Sequence, residues 1–287
     1  MAVEQVVQFG FLNMVATPHP AGVYARLLNA VANTPVRFWG DTYAAITPLK
    51  PDPNKPTLHL SRLVIWTEID PDAPAINKTK LTETSLSDLD FSAPANVGFN
   101  GRSFYWMLNE KTHVLSFELT NEQGKTISIG RCARIFEWLL SPEMLGYDAE
   151  AVEITVLPEE DALQRVLGIE RLDRIDILVK RPNADDITAK TNAIMAELDE
   201  QNVKRQEITF IRENGTDGIE LNEKNRTIAE VAAHNGYVAS KGRDGEGISE
   251  TRSTKEYPKI IKVSLDIGAT AIGNLRNFAE SIRANRE

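Results

Sequence analysis

The stretch Leu172-Asp-Arg-Ile-Asp-Ile-Leu-Val-Lys-Arg-Pro-Asn-Ala-Asp-Asp186, continuing to Gln201, decides the fold class. Ile175, Ile177, Leu178 and Val179 form a short apolar run rich in β-branched residues, which suits a central strand. Pro182 ends that strand, because proline donates no ladder hydrogen bond. Asn183 reads as a helix N-cap, with Asp186 three residues on as a variant of the capping box. Ile187, Ile194 and Leu198 fall on one face of a helix predicted over 184–200, while Lys190, Glu197 and Asp199 fall off it. Strand, turn and amphipathic helix in direct succession make a scaffold. No catalytic signature accompanies them.

Upstream of this unit, residues 3–16 alternate as a strand does, with Val7, Phe9, Phe11 and Val15 on one face. Thr-Pro-His-Pro-Ala-Gly (17–22) interrupts it, and Val23, Leu27, Leu28 and Val31 then keep helical spacing. Residues 34–56 hold five prolines and read as a long connection with one short strand at 36–39. Residues 57–69 read as a strand, and the polar stretch 70–98 as a long excursion. A hairpin follows over 104–120, with Leu115, Phe117 and Leu119 facing one way and Ser116, Glu118 and Thr120 the other. Ile129, Ala133, Phe136 and Leu140 line the inner face of a helix over about 128–140, and 151–157 closes the series as a strand. With one extra strand allowed, that order is the pattern of a ferredoxin-like α/β sandwich.

Downstream, Pro158 with Glu159, Glu160 and Asp161 suits the first turn of a helix. A strand is predicted at 206–212, a helix at 222–233 stopping at Asn235-Gly236, and a short strand at 237–240. The glycine- and charge-rich segment 241–256 reads as a flexible loop, followed by a strand at 258–265 and a terminal helix at 269–284. The expected class is therefore α+β: a ferredoxin-like α/β domain over 1–150, then a second α/β layer over 151–287 that shares or extends its sheet.

Bulk properties exclude several function classes. A net charge of −9 counts against a protein coated in phosphate contacts, though a local basic face can hide inside an acidic total. Cys132 is the sole cysteine, so no intramolecular disulfide forms, and a reducing cytoplasm is the expected setting. No run of 18 apolar residues exists, so no membrane span is expected. The four histidines, His19, His59, His113 and His234, lack metal-ligand spacing. Asp185 and Asp186 are explained more simply by the positive helix start than as metal ligands. Gly242, Gly245 and Gly247 lack the Lys-Ser/Thr of a phosphate loop. Neither cofactor nor metal is expected, and no catalytic residue is assigned.

The local charge that stands out is basic. Arg252, Lys255, Lys259 and Lys262 crowd into eleven residues against one acid, Glu256, with Tyr257 among them. Such a stretch can touch phosphates and stack a base. Lys180-Arg181 and Lys204-Arg205, at strand ends, would strengthen a binding face if the fold brings them together.

Trp66-Thr-Glu-Ile-Asp70, Leu157-Pro-Glu-Glu-Asp161, Arg181-Pro-Asn-Ala-Asp-Asp186, Asn235-Gly-Tyr-Val238 and Ser253-Thr-Lys-Glu-Tyr-Pro-Lys259 resemble a bacterial family catalogued as a domain of unknown function, over nearly the whole chain. That resemblance implies an association with phage defence and supplies no catalytic residues. The Leu172–Lys180 strand with its helix is also similar to the phage exclusion protein RexA, which implies a DNA-binding dimer. The expected function is a non-enzymatic component that binds DNA or RNA, or defence-system proteins, as a homo-oligomer. A hydrolase acting on nucleic acid or nucleotide, and a subunit of a larger assembly, are the alternatives. Three converging carboxylates or a Cys-His-Asp set would favour the hydrolase, and a continuous basic face would favour binding.

Overall fold

Alternation at the N-terminus produces the longest strand, β1 (Gln5–Thr17), and both of its faces are buried. The computed structural model describes residues 5–70, 72–86, 94, 96–146, 149–181, 189–265 and 271–282. After β1 come α1 (Val23–Ala30), β2 (Val36–Trp39), β3 (Thr42–Ile46), β4 (Lys50–Pro51) and β5 (Leu58–Thr67). A small hairpin, β6 (Ala75–Asn77) and β7 (Thr82–Thr84), precedes β8 (Phe99–Asn109) and β9 (Val114–Glu118). Next are α2 (Ile129–Leu139), α3 (Pro142–Leu145) and β10 (Ala151–Val156). The remainder comprises α4 (Ala162–Leu167), β11 (Arg171–Lys180), α5 (Ala189–Glu200), β12 (Arg205–Ile211), α6 (Glu223–His234), β13 (Gly236–Arg243), β14 (Ser249–Ser253), β15 (Ile260–Leu265) and α7 (Ala271–Ser281). The class is mixed α/β and strand-rich.

The larger sheet is nine-stranded and antiparallel, in the order β10-β1-β9-β8-β5-β3-β2, with β15 also on β1 and β4 also on β5. One face packs on α1 and α2. There Phe136 sits edge-on to Trp106 and Phe117, each centroid 5.1 Å away, and Leu12, Met14, Leu27 and Leu28 complete the core. The other face packs on α7 through Val7, Phe9, Phe11, Met107, Leu275 and Ala279. Local signals set the helix starts: Ser128 Oγ accepts from the Arg131 N–H at 3.3 Å, and Asn222 Oδ1 from the Asn225 N–H at 2.9 Å. The smaller sheet runs β12-β11-β13-β14, all antiparallel. Its core face packs Ile175, Ile177, Val179 and Val238 against Ile194, Leu198, Ile228, Ala229 and Ala232 of α5 and α6.

The organising unit holds as β11 and α5, with Ile194 and Leu198 buried. Pro182, Asn183, Asp185, Asp186 and Ile187 lie outside the described residues. Several expectations are corrected. Residues 34–56 contain β3 and β4 besides the predicted strand, because Thr42–Ile46 finds a cross-strand partner in β5 that no local pattern announces. The excursion at 70–98 includes the β6-β7 hairpin. Pro158 bridges to Pro258 instead of opening a helix, and α4 starts after Asp161.

The stretch 241–256 is ordered into the β13-β14 hairpin and a one-turn 3-10 helix, Thr254–Glu256. Asp244 Oδ1 accepts from the N–H groups of Glu246 and Ile248 at 3.0 and 2.8 Å, and Gly247 takes the positive φ of 81° that closes the turn. Ser116 and Glu118 face away from Leu115 and Phe117, and they are buried too, since α7 covers that second face. β10 and β15 join the larger sheet and α7 packs on its face, and all three follow residue 150 in sequence.

Candidate nucleic-acid interface

Strand alternation sorts the side chains of the smaller sheet onto two faces. Ile175, Ile177 and Val179 point at α5 and α6, so Arg174, Asp176, Leu178 and Lys180 point the other way. Register carries this face across the sheet. Arg174 lies opposite Ile211 and Lys241, Asp176 opposite Thr209 and Ala239, and Leu178 opposite Glu207 and Tyr237. Arg174, Arg205, Thr209, Ile211, Lys241, Arg243 and Thr251 are exposed.

This open face is held in place by its own ion pairs. Arg174 donates Nε–H and Nη2–H to the two carboxylate oxygens of Asp176, at 2.7 and 2.8 Å, and the Thr209 hydroxyl donates to Asp176 Oδ1 at 2.7 Å. The Arg174 guanidinium accordingly holds the Asp176 carboxyl below its ordinary range. Arg205 pairs with Glu207 at 3.3 Å. Lys241 and Arg243 have no ion pair among the described residues, although Arg243 donates to the Gly247 carbonyl at 3.0 Å.

Toward its Lys180 end the face runs into a cleft of about 330 Å³ against α2 and β10. Arg134, Glu137 and Trp138 of α2 form one wall, Ile154, Thr155 and Val156 of β10 another, and Leu178, Lys180, Tyr237 and Lys255 the third. The Lys255 ammonium sits 4.1 Å from the Tyr237 ring centroid, and Arg134 stacks on Trp138 at 5.3 Å. Partial removal from water, then the positive charge of Lys180, lower the Lys255 pKa from its ordinary value, with Glu137 opposing. Lys180 donates to Glu153 Oε2 at 2.7 Å, and Lys204 lies 3.0 Å from the other oxygen. Burial disfavours ionisation of Glu153, but these two ammonium groups outweigh it and bring its pKa below the ordinary value.

The expected basic residues are divided among several places. Lys180 and Lys255 meet at the cleft, and Lys180 pairs across the ladder with Arg205, so the two basic strand ends do come together. Arg252 lies on the helix side of β14, opposite Ser240, with its guanidinium donating to the Arg165 carbonyl at 2.9 Å and Glu250 at 2.6 Å. Tyr257 is half-buried beneath Arg165, whose guanidinium carbon is 5.2 Å from the ring centroid. Lys259 reaches Glu160 at 3.5 Å, Arg181 pairs with Asp199 at 2.5 Å, and Lys262 lies on β15 of the larger sheet, opposite Gln8. Sequence reasoning missed Arg134, Arg174, Lys241, Arg243, Trp138 and Tyr237. For the four strand residues the signal was available in principle, as alternation relative to Ile175 and Val238.

Other reactive side chains are placed apart from this surface. Cys132 is fully buried in α2, and burial pushes its thiol pKa well above the ordinary value. His19, Tyr24 and His113 cluster, with Tyr24 stacked on His113 and His19 edge-on to His113, ring centroids 4.5–5.2 Å apart and the Tyr24 hydroxyl 2.9 Å from His19 Nδ1. Glu118 is 1% exposed, and burial lifts its pKa to about 7. Among the described residues, no three His, Cys, Asp or Glu side chains gather in metal-binding geometry, and no helix is long and apolar enough to cross a membrane. No curated protein matches the chain. The model of the family described as "Domain of unknown function (DUF4747)" matches residues 5–280, and the chain belongs to that family.

Proposed function

We propose that this chain is a non-enzymatic component that binds single-stranded nucleic acid across the open face of the smaller sheet. The observation that carries the reading is the sign of that face. Arg174, Arg205, Lys241 and Arg243 stand against Asp176 and Glu207 in a chain whose net charge is −9. A positive surface on a negative whole orients a polyanion while discouraging general coating. A sheet face with an aromatic at its edge offers unpaired bases a stacking platform, which a duplex cannot use. The phage-defence setting and the likeness of β11 to RexA belong to this proposal. So does a ferredoxin-like reading of β1-α1-β8-β9-α2-β10, which the order β10-β1-β9-β8 and the shared α1/α2 face support.

The test is fluorescence anisotropy of labelled single- and double-stranded DNA and RNA at several salt concentrations. Single strands bind more tightly, and affinity falls as salt rises. Lys241→Ala with Arg243→Ala should reduce the magnitude of the log–log salt slope by about one to one and a half units, since each phosphate contact on a single strand contributes roughly 0.7. Undetectable binding of every nucleic acid at low salt rejects the proposal. Trp39, 70% exposed on edge strand β2, and Ile211, 73% exposed on edge strand β12, would then favour a second reading, an assembly subunit that pairs through its sheet edges.

A further inference from the structure

We propose that the cleft between the smaller sheet and α2 is a pocket for a phosphomonoester carried on a nucleoside, with the phosphate between Lys180 and Lys255. This deepens the nucleic-acid reading and rests on it. Arg134, Lys180 and Lys255 against Glu137, with Lys204 and Glu153 offsetting each other beside Lys180, leave the cleft an excess of two positive charges. A phosphomonoester near neutral pH carries about −1.5 to −2, whereas each internal phosphodiester carries −1, so the monoester is the better match. Two ammonium groups facing one cleft repel each other, and an anion between them turns that repulsion into two charge-assisted hydrogen bonds. Glu153, held between Lys180 and Lys204, anchors the Lys180 side chain at the cleft wall.

The rest of the cleft suits a nucleoside. Tyr237 and Trp138 present half-buried rings, and Ile154, Val156 and Leu178 supply apolar walls. A volume of about 330 Å³ lies at the small end of ligand pockets, which fits one nucleotide unit and not several. The same chemistry has two sources: a free nucleoside monophosphate, or the phosphorylated end of a strand lying on the open face.

The test uses the full chain in calorimetric titrations with adenosine 5′-monophosphate, adenosine, and a single-stranded ten-mer with and without a 5′-phosphate. The pocket predicts binding of the monophosphate, at least about tenfold weaker binding of adenosine, and loss of that difference in Lys255→Ala. Lys255→Gln, which keeps the stem over Tyr237, guards against a packing effect and should lose the difference too. If the phosphorylated ten-mer binds about tenfold more tightly than the plain one, the source is a strand end; if only the monophosphate responds, the source is free nucleotide. Equal behaviour of adenosine and its monophosphate, with no effect of the 5′-phosphate, overturns the pocket. Binding of the plain ten-mer reports separately on the open face, so either reading can fail alone.

Discussion

Replacing Glu118 with Gln should raise stability by roughly 2–3 kcal/mol more at pH 8 than at pH 5. Glu118 is on β9, opposite Phe9 of β1, on the face that α7 covers. One carboxylate oxygen accepts from the Tyr105 N–H at 2.9 Å, and the other has no partner among the described residues. Burial is the main reason that its pKa rises from 4.5 to about 7, with the charge of Glu122 adding to it. The sign follows from proton linkage. Below pH 4.5 the carboxyl is protonated both folded and unfolded and contributes no pH dependence. Between about 4.5 and 7 the unfolded chain releases the proton while the folded chain keeps it, so stability falls as pH rises. Above 7 the full penalty is present and constant. A separation of roughly 2.5 pH units at 1.36 kcal/mol each gives about 3 kcal/mol.

Gln keeps the oxygen that accepts from Tyr105 and is neutral throughout. Its amide N–H groups add an offset that does not vary with pH. Urea unfolding followed by tryptophan fluorescence, for both proteins at pH 5, 6, 7 and 8, isolates the effect as a difference that grows with pH. A difference that stays constant from pH 5 to 8 would show that Glu118 is ionised in the folded protein and that the burial argument is mistaken.

Other outcomes follow from single contacts. Cys132→Ala should cost about 1 kcal/mol by leaving a small void, with nucleic-acid affinity unchanged, and the native thiol should resist a maleimide until denaturant is added. Arg276→Ala should lower stability by about 1–3 kcal/mol in a denaturant titration, because it strands the buried Asp52 carboxylate that Arg276 Nε reaches at 2.7 Å. Gly236→Ala should lower the thermal midpoint clearly, since an added Cβ would lie 1.9 Å from the Leu178 carbonyl oxygen and force β13 away from β11. An unchanged midpoint in Gly236→Ala would mean that β13 shifts at little cost.

Local chemistry in the sequence was enough for most elements. The apolar run at Ile175–Val179, the helical spacing from Ile129 to Leu140 and the turn at Asn109 each act over a few residues, and each appears where expected. Long-range partners were not legible. Thr42–Ile46 is a strand because β5 offers it a ladder, and Ser116 and Glu118 are buried because α7 returns across them from the far end of the chain. A polar residue on an alternating strand usually signals water. It misleads when a later element covers that face, and the cost then appears as a lifted pKa, as at Glu118.

The basic stretch illustrates the same limit for the site. Arg252, Lys255, Lys259 and Lys262 are close in sequence, but adjacent positions on a strand face opposite ways and a hairpin ends within a few residues. Arg252 therefore falls on the helix side, Lys255 passes over Tyr237 into the cleft, and Lys262 joins another sheet. Charge density along the chain could mark only the neighbourhood. The face itself is assembled by parity: Arg174, Lys241 and Thr251 line up across three strands because each is offset by an odd number of residues from a core side chain on its strand or across from it. The acids sort by the same rule. Asp176 shares the open face with Arg174 and is neutralised there by its fork, while Glu250 falls on the opposite side with Arg252. Among the described residues, Lys241 is exposed on the open face without an ion pair and Arg243 donates to a backbone carbonyl, so on the proposed nucleic-acid reading these two residues are where a phosphate chain would first be felt.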